Sequence, residues 1–297
     1  MDLRIFQVDA FTRVRFTGNP ATVILDADGQ SDDTLAAIAR EFAHAEVAFV
    51  CAATAADHDL RLRFFNSRHE APFVGHATIA AHAVLLAIGR RSAGACRQLS
   101  GTGIIEVSAR DEAGVKIEFR QSVPELDAPL PLKTTLRVAE ALRLPGTQLH
   151  EAMPARVARK GSSRLLVPVA HADALDGLKP NDATLLALGH EFGVEGFFVF
   201  STKRGAAGMS TDARMFCPAL GIPEDPVSGN AHAMLAAYLW SAGVLDERST
   251  GFVGRQGRYV DRAGEVKVAL EVEHGSLRAV HIGGSAVIVS EGTLAPS

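Results

Sequence analysis

The sequence predicts an α+β fold with two pseudo-symmetric domains, each a curved β-sheet or barrel around a central helix. Three observations lead to this prediction: an internal repeat, a wholly apolar helix-like run after each copy, and strand-like patterns around both runs. A length of 297 residues is enough for two domains of ordinary size.

The repeat has the spacing Glu-x-Pro-x-x-Gly-x-Ala and occurs twice without a gap. Residues 70–77 are Glu-Ala-Pro-Phe-Val-Gly-His-Ala, and residues 224–231 are Glu-Asp-Pro-Val-Ser-Gly-Asn-Ala. The copies start 154 residues apart, at 70 and 224, and each follows a strand-like run, at 60–65 and 212–216. Because the flanking patterns match as well, duplication of one domain is a better explanation than chance.

Both runs that follow the repeat are apolar around nearly the whole helical circumference. The first stops at Gly89 and the second near Gly243, and glycine commonly ends a helix. A helix of this kind that is too short to cross a membrane must be enclosed by protein. We therefore expect buried helices at 75–88 and 229–241, related by a pseudo-twofold axis.

The remaining patterns complete the two domains. Alternating or β-rich composition predicts strands at 104–107, 115–119, 266–272 and 286–289. Amphipathic patterns predict surface helices at 32–43 and 182–192. Three prolines between 124 and 131 suggest domains at 1–125 and 126–297, with the last strand able to return to the first domain. No Gly-x-Gly-x-x-Gly joins an early strand to a helix, which argues against a Rossmann domain.

Composition excludes several classes of function. The net charge of −4 gives no electrostatic reason to expect nucleic acid as a partner, and no apolar run is long enough to span a membrane. Three cysteines without Cys-x-x-Cys spacing argue against a disulfide scaffold and a zinc cluster. The start of the chain is typical of a strand rather than a signal peptide. These features favour a cytoplasmic protein.

The two glycine turns are candidate anion sites. A helix that begins at Gly75-His76 or at Gly229-Asn230 points free main-chain N–H groups outward, and its dipole favours negative charge there. Two such turns would suit a carboxylate or a developing enolate. The alternative is that each glycine only makes a tight strand-to-helix turn.

Three side chains could supply acid–base chemistry, and each has a simpler interpretation. His76 could orient a substrate or relay a proton, or it could cap or pack against the helix start. Asp225 could hold His76 or a substrate amine, or serve only as a turn residue. Glu46, at the head of an apolar strand, would on its own pattern be a solvated strand end. His82 and His232 lie inside the apolar runs and are expected to be core residues, and no histidine–carboxylate arrangement predicts a metal.

Seven segments resemble, in order and over essentially the whole chain, the PhzF-like family of phenazine-biosynthesis isomerases. They are 6–11, 18–20, 45–49, 72–77, 224–230, 256–257 and 282–287. The resemblance implies the diaminopimelate-epimerase-like fold, with an active site between the two domains, no cofactor and a homodimer.

The resemblance also implies roles for individual residues. Glu46 would be the general base that removes a proton from one carbon of a small carboxylate and returns it to another. His76 and Asp225 would line the site. Four residues would bind the substrate, mainly through the glycine-turn amides: Asn19, Gly75, Gly229 and Asn230.

The sequence departs from the phenazine enzyme in places that bear on its substrate. Asn230 stands where that enzyme has a serine, and Ala45 and Val47 replace hydroxyl residues that often flank the glutamate. A two-thiol amino-acid racemase of the same fold is disfavoured, because Val74 and Ser228 occupy the thiol positions. A non-catalytic protein that binds a small acid is the remaining alternative.

Overall fold

The computed structural model describes residues 3–42, 46–67, 69–110, 115–206 and 208–295. The chain divides into two compact units. Unit 1 is Met1–Gln121 with Gly283–Ser297, and unit 2 is Ser122–Ile282. The last strand thus belongs to the same unit as the first. The assignment of 1–125 and 126–297 as duplicated domains stays a prediction.

Unit 1 contains two helices and a mixed set of strands. Its elements are β1 (Leu3–Ala10), β2 (Asn19–Ile24), α1 (Asp32–Glu41), β3 (Val47–Ala52), β4 (Leu60–Phe65), β5 (Glu70–Ala71), α2 (Gly75–Ala87), β6 (Gly94–Ser100), β7 (Gly103–Arg110), β8 (Lys116–Ser122) and β18 (Ala286–Leu294).

Among its described residues, unit 2 has three α-helices and a similar set of strands. Its elements are β9 (Glu125–Leu126), α3 (Leu132–Ala141), β10 (Arg156–Lys160), β11 (Ser162–Pro168), α4 (Asp182–Phe192), β12 (Gly196–Gly205), β13 (Gly208–Cys217), β14 (Ile222–Asp225), α5 (Gly229–Ser241), β15 (Gly251–Gln256), β16 (Gly264–Glu273) and β17 (Ser276–Gly284). Short 3-10 helices lie at Gly146–Gln148, Ala172–Leu175, Pro218–Leu220 and Arg258–Val260.

The two units show the same succession of strand pairings. In unit 1, β1–β2 is antiparallel, β2–β3 parallel across α1, β3–β4 antiparallel, β4–β6 parallel across α2, and β6–β7 antiparallel. In unit 2, β10–β11 is antiparallel, β11–β12 parallel across α4, β12–β13 antiparallel, β13–β15 parallel across α5, and β15–β16 antiparallel. The short strands β5 and β14 pair with β4 and β13 respectively. This correspondence supports duplication.

The helices α2 and α5 are the buried centres of their units, which confirms the prediction of two enclosed helices. Residues 77–85 of α2 and 231–239 of α5 are buried without interruption. The core around α2 is formed by apolar side chains of the surrounding strands, including Phe6, Val8, Ala21, Val23, Ala48, Leu62 and Phe64. Enclosure on all sides explains why neither helix has an amphipathic stripe.

The surface helices α1 and α4 begin where the sequence predicts. Ser31 Oγ accepts a hydrogen bond from the Thr34 amide at 3.2 Å, and Asn181 Oδ1 accepts one from the Thr184 amide at 3.0 Å. These side-chain caps fix the first turns of both helices. The C-terminal end of the predicted range 32–43 extends beyond the described residues.

Helix α3 is absent from the sequence prediction, which treats the proline-rich segment before it only as a boundary. Pro131 is the residue from which α3 starts, and its carbonyl accepts hydrogen bonds from the Thr134 and Thr135 amides. Proline is well suited to a helix start because its fixed φ is compatible with the first turn. None of the helices in the described part of the chain is long and apolar enough to cross a membrane.

The two histidines inside the central helices are buried, as predicted, but only one is fully hydrogen-bonded. His82 Nε2 and Gln98 Oε1 lie 2.9 Å apart, and Arg91 contacts His82 Nδ1. His232 Nδ1 lies 2.7 Å from the Ser228 carbonyl, whereas its Nε2 has no partner among the described residues. Burial lowers the pKa of His82 to about 3 and that of His232 to about 4, so both are neutral at pH 7.

These lowered pKa values predict loss of stability in mild acid. The folded protein resists protonating His82 and His232, whereas the unfolded chain takes up protons below pH 6.5. Their stabilising contribution is therefore complete above that pH and decreases as the pH falls. At pH 5 each histidine should lower the free energy of unfolding by about 2 kcal/mol relative to its value at pH 7.5.

Urea unfolding at both pH values should show that the free energy of unfolding depends less on pH in His82→Gln than in the wild type. The exposed control His171→Gln should leave it unchanged. An unchanged dependence in His82→Gln would contradict the assignment.

A second prediction concerns the space for the His232 ring. A Cβ added at Gly254 would lie 2.0 Å from His232 Cδ2, so Gly254→Ala must displace a wholly buried ring. We expect a loss of about 2 kcal/mol in the free energy of unfolding. Gly177→Ala is the matched control, because its Cβ would meet no atom within 4 Å. Equal stability of the two variants in urea denaturation would show that the ring moves freely.

Candidate active site

The first glycine turn, at Gly75, leads from a nearly extended residue directly into α2. Val74 has φ −136° and ψ 112°, and no described side chain caps the first turn of the helix. A Cβ at Gly75 would lie 3.2 Å from Phe119 Cζ, which is tighter than ordinary contact. The absence of a side chain therefore allows the aromatic ring to pack against the turn. The first main-chain amides of a helix and the positive end of its dipole favour a negatively charged group at such a start.

His76 and Glu46 come together beside this turn. His76 Nε2 lies 3.7 Å from Glu46 Oε2, which is longer than a hydrogen bond. The His76 side chain is 12% exposed and that of Glu46 is 25% exposed. His76 Nε2 is buried and has no hydrogen-bond partner among the described residues. A buried nitrogen without a partner is costly, and a bound ligand could satisfy it.

The imidazole of His76 is neutral near pH 7. Desolvation lowers its pKa to about 4, well below its ordinary value of 6.5. A neutral imidazole has one donor and one acceptor nitrogen, so it can hydrogen-bond to a substrate without adding positive charge. Glu46 directly precedes β3, and its neighbours on that strand, Val47 and Ala48, are fully buried.

The second glycine turn, at Gly229, is held by protein side chains. Ser228 Oγ accepts from the Ala231 amide at 3.2 Å, which gives α5 the cap that α2 lacks. The Ser228 amide donates to Gln256 Oε1 at 3.1 Å, and Gln256 Nε2 donates to the Asp225 carbonyl at 2.7 Å. Gln256 thus hydrogen-bonds to both ends of the segment 225–228, which leads into α5. The two turns share a backbone path but differ in capping.

Gly257 completes this arrangement. Its φ is +88°, and a Cβ there would lie 2.7 Å from the Pro226 carbonyl oxygen. The sequence segment Gln256-Gly257 is therefore explained by the second turn: the glutamine bridges it and the glycine lets the chain pass close to it. In the sequence this pair is marked only by the family resemblance, which predicts no structural role for it.

The other predicted site residues lie as follows. The side-chain Nδ2 of Asn230 donates to the Lys160 carbonyl at 3.0 Å and to Ser162 Oγ at 2.9 Å, so it is used within unit 2. Asp225 is half-buried at the end of β14. Asn19 is buried at the start of β2, opposite Ala10. The roles of all three in binding or catalysis stay predictions.

Comparisons with known proteins agree on one family. The family model described as "Phenazine biosynthesis-like protein" matches residues 8–292. The uncharacterized isomerase YddE of Escherichia coli O157:H7 is 35% identical over 294 residues, which is 97% of each chain.

Solved structures extend this agreement to the fold. The phenazine biosynthesis protein of the PhzF family from Bacillus anthracis is 25% identical, with 100% of both chains covered and a TM-score of 0.87. A hydroxyproline epimerase from Agrobacterium vitis, solved with bound trans-4-hydroxy-L-proline, is 14% identical with a TM-score of 0.62. The alignment covers 99% of this chain and 92% of the epimerase, and it shows likeness of fold alone. The chain thus belongs to the PhzF-like family of isomerases and has the α+β, diaminopimelate-epimerase-like fold of that family.

Proposed function

We propose that the protein is a cofactor-independent isomerase that moves a proton between two carbons of a small cyclic or aromatic-precursor carboxylate. Glu46 is the acid–base group, and His76 and Asp225 are the other two catalytic residues. The observation that carries the proposal is the grouping of Glu46 with His76 Nε2 and the start of α2, the last two having no side-chain hydrogen-bond partner among the described residues.

In the proposed reaction the substrate carboxylate binds at the start of α2. Amide donors and the helix dipole stabilise the negative charge that develops when a proton leaves the neighbouring carbon. The Glu46 carboxylate takes that proton, and the electron pair passes into the conjugated system. The protonated Glu46 then returns the proton to a second carbon on the same face. One carboxyl group therefore performs both steps.

His76 supports this chemistry as a neutral hydrogen-bonding group. Its lowered pKa keeps it uncharged throughout the physiological range, so it orients substrate rather than serving as a cation. Asp225 in unit 2 is proposed to hold the substrate. Asn19, Gly229 and Asn230 complete the binding surface.

The residues at the two helix caps support this mechanism over a two-thiol racemase. Val74 carries no ionisable group, and Ser228 uses its hydroxyl to cap α5. Neither side chain provides a thiolate that could remove a proton. A cytoplasmic location and a homodimer are part of the proposal. The cysteines Cys51, Cys96 and Cys217 support a reducing compartment, because all three are free and buried.

The mechanism predicts loss of activity in Glu46→Gln, which keeps the size of the side chain but removes its basicity. Small cyclic and aromatic carboxylates are incubated in D₂O, and solvent deuterium entering carbon positions is followed by NMR. We expect exchange to fall by about 10³-fold, because a positioned general base contributes 10²–10⁴-fold. The exposed control Glu106→Gln should exchange like the wild type.

The same samples distinguish an enzyme from a binding protein. Ligand affinity in Glu46→Gln should stay within a few-fold of the wild type when measured by calorimetry. Binding of a carboxylate without exchange in the wild type itself would instead support the non-catalytic alternative. Exchange that survives in Glu46→Gln would end the assignment of this residue as the base.

His76→Ala tests the supporting role of the imidazole. We expect a smaller loss of exchange than in Glu46→Gln, about 10–100-fold, because hydrogen bonding is lost while the base remains. The ring resonances of His76 in the wild type should show no titration between pH 8 and pH 5, since its pKa is about 4. A titration midpoint near 6.5 would show that His76 is solvated and would contradict its neutral role.

A further inference from the structure

An arginine–glutamate pair precedes the glycine turn of unit 1. Arg63 on β4 donates from Nε to Glu70 Oε1 at 2.8 Å and from Nη2 to Glu70 Oε2 at 2.7 Å. Its guanidinium carbon lies 4.9 Å from the ring centre of Phe65. Asp32, in the first turn of α1, accepts a further bond from Nη2 at 2.8 Å. Two parallel bonds and a stacked ring fix the orientation of the guanidinium.

Unit 2 has the same pair in a more buried setting. Arg214 on β13 donates to Glu224 from Nε at 3.0 Å and from Nη2 at 2.7 Å, and it lies 5.0 Å from the ring centre of Phe216. The two side chains are 10% and 9% exposed. Nη1 donates to the carbonyls of Leu175 and Leu178 at 2.9 and 3.1 Å.

The two pairs extend the sequence repeat towards its N-terminal side. Each unit has Arg-x-Phe on the strand before the turn, followed by the glutamate that opens Glu-x-Pro-x-x-Gly-x-Ala. The connection differs in length: the glutamate follows its arginine after 7 residues in unit 1 and after 10 in unit 2, from 63 to 70 and from 214 to 224. The further hydrogen-bond partners of the two arginines also differ, since Arg63 donates to Asp32 and Arg214 to two main-chain carbonyls. The bidentate pair and the stacked phenylalanine are common to both units.

Each glutamate lies where the chain leaves the sheet for its glycine turn. The strand β5 is only Glu70–Ala71, paired with Phe65 and Phe64, so few ladder bonds hold this segment. In unit 2, β13 and β14 pair at two positions with an irregularity between them. The glycine follows its glutamate after five residues in both units. A bidentate ion pair adds a fixed direction to a segment that the sheet holds weakly.

We propose that Arg63–Glu70 and Arg214–Glu224 are positioning pairs that fix the two glycine turns in their ligand-binding geometry. The inference rests on the proposed function, since it assigns the pairs a part in binding a carboxylate at those turns. None of the four side chains is proposed to touch the substrate. Their effect on the reaction passes through the backbone of Gly75 and Gly229.

Selective labelling lets each turn be observed directly. Val-Gly occurs in this sequence only at 74–75 and 253–254, and Ser-Gly only at 100–101 and 228–229. Carbonyl-¹³C valine with ¹⁵N-glycine therefore selects the Gly75 and Gly254 amides, and labelled serine selects Gly101 and Gly229. In each sample one signal reports a glycine turn. The other signal comes from the unit that does not contain the substituted ion pair, and it serves as an internal control.

The test compares Glu70→Gln and Glu224→Gln with the wild type under conditions where all are folded. In Glu70→Gln the Gly75 amide signal should move by more than its linewidth while that of Gly254 does not. In Glu224→Gln the Gly229 signal should move while that of Gly101 does not. The control Glu191→Gln breaks an exposed bidentate pair with Arg137 between α3 and α4, and it should move neither turn. Global destabilisation alone would not shift these signals selectively.

Exchange kinetics in D₂O complete the test. With a carboxylate that the wild type exchanges, Glu70→Gln should lower kcat about tenfold or more, because small displacements of catalytic groups are costly. Turn signals and kcat that stay at wild-type values in Glu70→Gln would overturn the positioning role. If Glu224→Gln fails to fold, Glu70→Gln decides the outcome, since the Glu70 side chain is 39% exposed.

These experiments can reject the positioning pairs and the acid–base role of Glu46 independently of each other. Unmoved turn signals together with inactive Glu46→Gln would reject the positioning pairs and leave the acid–base assignment intact. Moved turn signals together with full activity in Glu46→Gln would reject Glu46 as the base while supporting the effect of the ion pairs on the turns.

Discussion

A helix that is apolar on every side can be kept from water only by surrounding it with other elements, and α2 and α5 are both of this kind. Enclosure buries the apolar side chains of such a helix. It does not provide hydrogen-bond acceptors for the first main-chain amides, which need acceptors from outside the helix. In unit 2 Ser228 supplies one of them, whereas no described side chain does so in unit 1. The glycine turns and the short strands before them lead from the sheet into these enclosed helices.

Much of this arrangement follows from residue patterns alone. The limits of α4 agree with its predicted range because Asn181 marks its start and Gly193, in the left-handed conformation, marks its end. The central helices were equally predictable, since continuous apolar runs between turn signals have few alternatives. Helix α3 is not predicted, because the prolines before it indicate a break in the pattern as readily as the start of a helix.

The side chains around the turns were harder to predict because they depend on contacts between segments distant in sequence. Glu46 and His76 are 30 residues apart, and a lone carboxylate at a strand end has no periodic signal. Only the resemblance to a family singled it out. The Arg-x-Phe signal before each turn was visible in the sequence. It lies outside the ungapped repeat, because the connection between arginine and glutamate is three residues longer in unit 2 than in unit 1.

Burial of His76 has a consequence for the basicity of Glu46. A protonated imidazole 3.7 Å from the carboxylate would stabilise its charged form and lower its pKa, which would make it a weaker base. Desolvation prevents this by holding His76 neutral down to about pH 4. In the proposed reaction the favourable charge for the substrate must then come from the start of α2, which acts on the developing negative charge. In this proposal the neutral His76 adds no positive charge beside Glu46, and the backbone at the start of α2 supplies the positive potential at the ligand.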